Sequence, residues 1–254
     1  MKTVLAKCEH PDFEYLSEVL DSYASLTDDS GRKDLLVRSK NSQSARAELI
    51  TLIDKQIRYY GSSDVAYAFR SVFSTDGGIP ALELIEDVCE KLKVNIKHGG
   101  SVESRLEGLV SAVVEKELLS KTPDELAEAF KNIGVGDADA KLIKEHLVKN
   151  GKAAVLPIIF ELLGPKIAMG IIETIIVSLI AQIVGREAAK VLVKEVVKRN
   201  PWLNVLGPVM WALSGAWLAF DLQGPAFRKT IPICLYMGIV ALRDGSEDAK
   251  QTVS

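Results

Sequence analysis

Thr122-Pro123-Asp124-Glu125-Leu126-Ala127-Glu128-Ala129-Phe130 (residues 122–130) contains a complete helix start. A threonine hydroxyl at the N-cap can take an amide of the first turn. Proline fits the first helical position, because its missing N–H would have no intrahelical partner there. Asp124 lies where the positive end of the helix dipole favours an anion. Glu125, three residues after Thr122, can return the bond and close a capping box. The helix it opens is predicted to run to about Asn132 and to stop at Gly134.

The same grammar extends in both directions. Residues 12–26 place Phe13, Leu16, Val19, Leu20 and Tyr23 at helical three-and-four spacing, ahead of Thr27-Asp28-Asp29-Ser30-Gly31, which reads as a break. In 45–60 the stripe is Leu49, Leu52, Ile53, Ile57 and Tyr60, with Gly61 placed as a C-cap. A shorter helix is predicted over 63–73. Pro80 stands at the first turn of another over 81–92. Ser101-Val102-Glu103-Ser104 caps a helix over 105–119, and 138–148 follows Gly136-Asp137. Beyond Asn150-Gly151, helices are predicted over 153–163, 165–184, 187–199, within 201–222, and over 230–242, leaving 244–254 as a tail. No alternating strand pattern between tight-turn signals appears, so the fold class is all-α: a multi-helix bundle.

The 254 residues carry 31 Lys/Arg against 34 Asp/Glu, and this balance hides an asymmetry. Residues 151–254 hold 11 basic and 8 acidic side chains, so the first 150 hold 20 and 26. The chain therefore reads as an acidic helical interaction or chaperone-like region over 1–150 and an apolar helical hairpin region over 151–254. With a net charge of -3, a nucleic-acid binder resting on phosphate contacts is not expected. Cys8, Cys89 and Cys234 are odd in number and far apart, as in a reducing compartment rather than a disulfide framework. Glu9, His10, Asp12 and Glu14 leave no apolar core for a signal peptide, which predicts a cytoplasmic protein with inner-membrane association through its far end.

Two runs approach the roughly 20 apolar residues that cross a hydrocarbon core. Residues 201–220 (PWLNVLGPVMWALSGAWLAF) have no charge, contain Trp202, Trp211 and Trp217, and are flanked by Lys198 and Arg199. Pro208 interrupts that run. Residues 167–185 carry Glu173, at a cost of about 2.5–3.5 kcal/mol on insertion scales. A helical hairpin buried in a core reads the same way, and the soluble or peripheral reading is preferred to spanning.

Reaction chemistry is sparse. His10, His98 and His146 stand in no metal-ligand spacing, and Gly134-Val135-Gly136 lacks the lysine or third glycine of a phosphate loop. No nucleophile elbow occurs. No catalytic residue, metal or cofactor is therefore expected. Arg228 and Lys229 sit near a predicted helix start at Thr230, where the dipole disfavours cations, so an internal acidic partner such as Glu173 or Asp221 is expected for them in preference to the alternative, an external phosphate or lipid headgroup.

Gly224-Pro225-Ala226-Phe227-Arg228-Lys229-Thr230-Ile231-Pro232, followed by Ala241-Leu242-Arg243, resembles the G-[PS]-A-[YF]-R-x-T-I-P … LR close of the bacterial YaaW-like family. Tyr60-Gly61-Ser62-Ser63-Asp64-Val65-Ala66 with Phe69-Arg70 is similar to its GG-x-S-I-A-x-x-x-R block. Gly77-Gly78-Ile79-Pro80, Asp87-Val88-Cys89 and Lys91-Leu92-Lys93-Val94 match the next. Ser62, Val65 and Lys229 depart from a frequent glycine, isoleucine and valine. The resemblance covers most of the chain in order and brings no established catalytic residues. It implies a helical fold whose front half is grouped with ubiquinol–cytochrome c chaperones, and fold analogy alone does not carry function.

The expected function is a non-enzymatic interaction or chaperone-like protein that contacts a hydrophobic client or the membrane surface, with a homo-oligomer left open. The alternatives are an integral membrane protein spanning with 201–220, membrane-perturbing under stress, and an enzyme of unrecognised type. Arg228, Thr230, Tyr60, Arg70 and Asp87 are the expected binding or structural positions.

Overall fold

The computed structural model describes residues 1–21, 28–61, 78–132, 135–150, 155–199 and 225–243. Among them are eleven helices and no strand, an all-α multi-helix bundle. The helices expected over 63–73 and within 201–222, together with Arg70 and the run 201–220, lie outside the described residues. In chain order the helices are α1 (Lys2–Lys7), α2 (His10–Leu20), α3 (Asp29–Arg38), α4 (Gln43–Tyr60), α5 (Ala81–Leu92) and α6 (Val102–Leu119). They continue with α7 (Pro123–Asn132), α8 (Asp137–Asn150), α9 (Val155–Val184), α10 (Arg186–Arg199) and α11 (Pro225–Leu242).

Local chemistry accounts for most starts. Thr122 and Glu125 form the reciprocal box: the Thr122 amide donates to the Glu125 carboxylate at 2.6 Å, and the Glu125 amide donates to Thr122 Oγ1 at 3.2 Å. Glu9 and Asp12 make a second box at the head of α2. Ser42 Oγ accepts from the Ala45 amide at 3.3 Å, and Ser101 Oγ from the Ser104 amide at 3.1 Å. Each such cap satisfies a donor that the first turn would otherwise leave open.

Two readings of the sequence are corrected, those of α3 and of the last helix, and the C-cap at Gly61 is borne out. The stretch expected to be a break after 26 begins α3: Asp28 accepts from the Gly31 amide at 2.8 Å and opens a helix. Gly61 does end α4, but in right-handed geometry (φ −73°). Its need for glycine is spatial, since a Cβ would lie 2.6 Å from Leu84 Cδ1 and 2.7 Å from Ile79 Cγ2. The last helix begins at Pro225, not at Thr230, which lies buried in its second turn at 1% exposure. Pro232, which suggested a restart, is carried inside α11 and has no N–H to give the Arg228 carbonyl.

The chain divides into two compact units, Met1–Leu109 with Leu222–Ser254, and Val110–Asp221. These do not follow the compositional division at 150/151. In the first unit α11 packs against α1, α2, α4 and α5. Its Ile231, Ile233, Leu235, Met237, Ile239 and Val240 are all buried. Around it lie the apolar faces of the neighbouring helices, among them Leu5, Phe13, Leu16, Leu49, Ile53, Ile57 and Ile85. A helix apolar on every side supplies the core that these one-sided helices need.

In the second unit α7 pairs with α8, and α9 packs against α8 and α10. Gly164 breaks α9 with φ 76° and ψ 165°, separating a first segment from one opened by Pro165, as the sequence predicted. The Glu115 carboxylate accepts from the Val155 and Leu156 amides at 2.6 and 2.9 Å, serving the open donors at the head of α9.

Candidate functional site

Helix α2 carries polar clusters at both ends, and both belong to the first unit. At its start, Asp12 is fully buried. Its Oδ2 accepts the Glu9 amide at 2.6 Å as part of the capping box. Arg243 Nη1 donates to both carboxylate oxygens at 2.9 Å, Arg243 Nη2 donates to Tyr236 Oη at 3.2 Å, and the Tyr236 hydroxyl donates to Asp12 Oδ1. The Tyr236 ring lies 4.6 Å from that of Tyr15, centroid to centroid.

Burial alone would push the Asp12 carboxyl up. The Arg243 charge, with the Tyr236 and Glu9 hydrogen bonds, instead holds it below the usual carboxylate range. Tyr236 is pushed well up by burial and by the neighbouring Asp12 charge. Tyr15 is raised by burial and by Tyr236. The cluster thus stays as one carboxylate, one guanidinium and two neutral phenols at neutral pH, a charge-neutral set inside a core.

At the other end, Arg32 is the bulkiest fully buried side chain among the described residues. Its Nε donates to Ser17 Oγ at 3.0 Å, and Nη1 donates to Asp29 Oδ1 and Gln56 Oε1 at 2.7 Å each. Nη2 reaches the Ser17 carbonyl at 3.1 Å and the Asp21 carboxylate. One planar group therefore ties α2, α3 and α4 together. Lys33 adds a 2.8 Å ion pair to Asp21.

Lys229 reaches this same end of α2. Its ammonium donates to the Leu20 and Asp21 carbonyls at 2.8 Å each and stands 4.2 Å from the centre of the Tyr60 ring. Open carbonyls at a helix C-terminus carry partial negative charge, and the face of a phenol ring is negative as well. The cation near the start of α11 is thus relieved by backbone carbonyls and a ring rather than by an acidic side chain. The Tyr60 hydroxyl donates to the same Leu20 carbonyl at 3.4 Å.

The expected positions separate accordingly. Tyr60 belongs to the Lys229 contact. Arg228 is exposed and has no ion pair or hydrogen bond to a described residue, so the acidic partner expected for it is not found there; Asp221 is outside the described residues. Thr230 is buried in α11, and Asp87 is half-buried on α5. Arg70 lies outside the described residues. The sequence reading did not single out Asp12, Arg32 or Tyr236. Arg243 entered only through the Leu-Arg close of the family pattern.

None of these clusters pairs a nucleophile with a base beside an opening. Among the described residues no group of three or more His, Cys, Asp or Glu could hold a metal ion. Cys89 is raised to about 11, chiefly by burial, and Cys234 is raised further by complete burial, so neither is a ready thiolate.

The second unit has a different character. Its helix α9 is long and apolar enough to cross a membrane by length and composition, and 72% of its most apolar window is buried within the molecule. Glu173 in that helix is 5% exposed. Large apolar side chains nevertheless reach the surface: Leu142 is 50% exposed, Val148 67% and Leu162 37%. Helix α10 buries Ala189, Leu192 and Val196 and exposes Lys190, Lys194 and Lys198.

The chain is 27% identical over 201 residues to a UPF0174 protein of Helicobacter pylori strain J99, covering 78% of this chain and 74% of that protein. A UPF0174 protein of strain 26695 is 27% identical over 192 residues, covering 75% of this chain and 87% of its own. A further one from J99 is 25% identical over 184 residues, covering 72% and 83%. No family model matches the chain, and no solved structure matches it. Its homologues are therefore bacterial proteins whose descriptions name neither an activity nor a chaperone role.

Proposed function

We propose that the chain is a non-enzymatic helical interaction protein whose second unit contacts a hydrophobic client or the membrane surface. The observation that carries this reading is the apolar character of that unit. It combines a membrane-length apolar helix, packed largely inside the protein, with Leu142, Val148 and Leu162 at its surface. The first unit supports the reading from the other side, since its buried Asp12 is held by Arg243 and its buried Arg32 by side chains of neighbouring helices.

The charge-free run 201–220, flanked by Lys198 and Arg199, favours a second reading in which the chain spans the bilayer. Alkaline carbonate extraction of membranes from cells making the protein separates the two. A peripheral protein is recovered with membranes at neutral pH and released by carbonate. Retention in the carbonate pellet gives the spanning reading. Recovery wholly in the soluble fraction, with no suppression of aggregation of a heat-denatured test protein, contradicts both.

A further inference from the structure

We infer that the exposed face of helix α10 is a docking surface for an anionic phospholipid bilayer, read by Lys190, Lys194 and Lys198. The inference rests on the proposed role of the second unit as a contact surface and names its partner.

The lysines stand four residues apart on a 14-residue helix, so they share one face with a rise of about 12 Å from first to last. All three are exposed, while Ala189, Leu192 and Val196 on the opposite side are buried at 0, 1 and 8%. The helix as a whole holds Arg186, Lys190, Lys194, Lys198 and Arg199 against Glu187 and Glu195, in a chain whose net charge is -3. Basic charge is thus concentrated on one short element of a chain that is otherwise acidic.

Its place in the chain selects the partner. Helix α10 follows the longest apolar helix, separated from it by Gly185, and leads into the charge-free residues 201–220 with their three tryptophans. A row of lysines on one exposed helix face is what anionic headgroups attract, and the charge-free, tryptophan-bearing sequence that follows has the composition of a bilayer-interface segment. A nucleic acid would meet the acidic remainder of the chain as well.

The test is sedimentation of the full-length chain with vesicles of phosphatidylcholine alone or with 30% phosphatidylglycerol, at low and high salt. The wild-type chain is expected to pellet with the anionic vesicles and to be released by salt. Lys190→Gln/Lys194→Gln/Lys198→Gln should weaken that binding on the order of a hundred-fold, at about five-fold per lysine. A control in which the exposed Lys2, Lys55 and Lys97 become glutamine should bind as wild type. Circular dichroism melts establish that both variants are folded.

Equal binding to neutral and anionic vesicles, unaffected by the triple substitution, overturns the lysine surface and leaves the apolar contact reading standing. Equal losses in the two triple variants reduce the effect to net charge and overturn it too. Binding to no vesicle, with aggregation of a denatured test protein still suppressed, overturns the lipid partner alone. Binding to none without that suppression overturns both readings.

Discussion

Arg32 would cost several kcal/mol to bury alone, yet it meets a donor-by-donor match from Ser17, Asp21, Asp29 and Gln56. Arg32→Met removes the charge and leaves those partners unmet, so stability should fall by about 3–5 kcal/mol in urea unfolding. Asp12 makes a prediction with a definite sign. Its carboxyl is lowered in the folded chain, so its contribution is fully present above the ordinary carboxyl range near pH 4. That contribution is lost as pH falls through the lowered value. Wild type should therefore exceed Asp12→Asn in stability at pH 7, and the urea midpoints should converge as pH falls below the ordinary carboxyl range. Neither residue was legible in the sequence. Arg32 follows what looks like a turn, and its burial exists only once three helices have met; Asp12 finds partners in Tyr236 and Arg243, more than 220 positions away.

Element boundaries were legible where the deciding contacts lie within four residues. The Thr122–Glu125 box and the Gly164-Pro165 interruption are of this kind, and both occur where the sequence places them. The start of α11 was not, because Pro232 and Thr230 carry the signals of a helix start while the packing of the first unit holds a helix through them. Gly164 gives the sharpest test at this scale. Nothing lies within 4 Å of where its Cβ would be, so a steric argument alone expects alanine to fit. Its φ of 76° and ψ of 165°, however, belong to a region essentially restricted to glycine. Gly164→Ala should cost about 1–3 kcal/mol in thermal or urea unfolding. A neutral result would mean that the break in α9 is not held as described.

At the scale of the whole molecule, composition and packing divide the chain differently. Hydropathy marked everything after residue 150 as one apolar region, yet α11 is the core of the acidic first unit, and Lys229 and Arg243 fasten it to the two ends of α2. Composition reports how greasy a segment is; it does not report whose apolar face the segment fills. A chain ending at residue 224 should therefore lose cooperative unfolding of the first unit, seen as rapid proteolysis within α2 and α4. The second unit retains the residues that carry the proposed contact. Hydrogen exchange of the full-length protein, with and without anionic vesicles, tests this division of labour most directly. The account predicts added protection in peptides covering Arg186–Arg199 and none in α2 or around Asp12. Vesicle-dependent protection in α2 with none in α10 would contradict it.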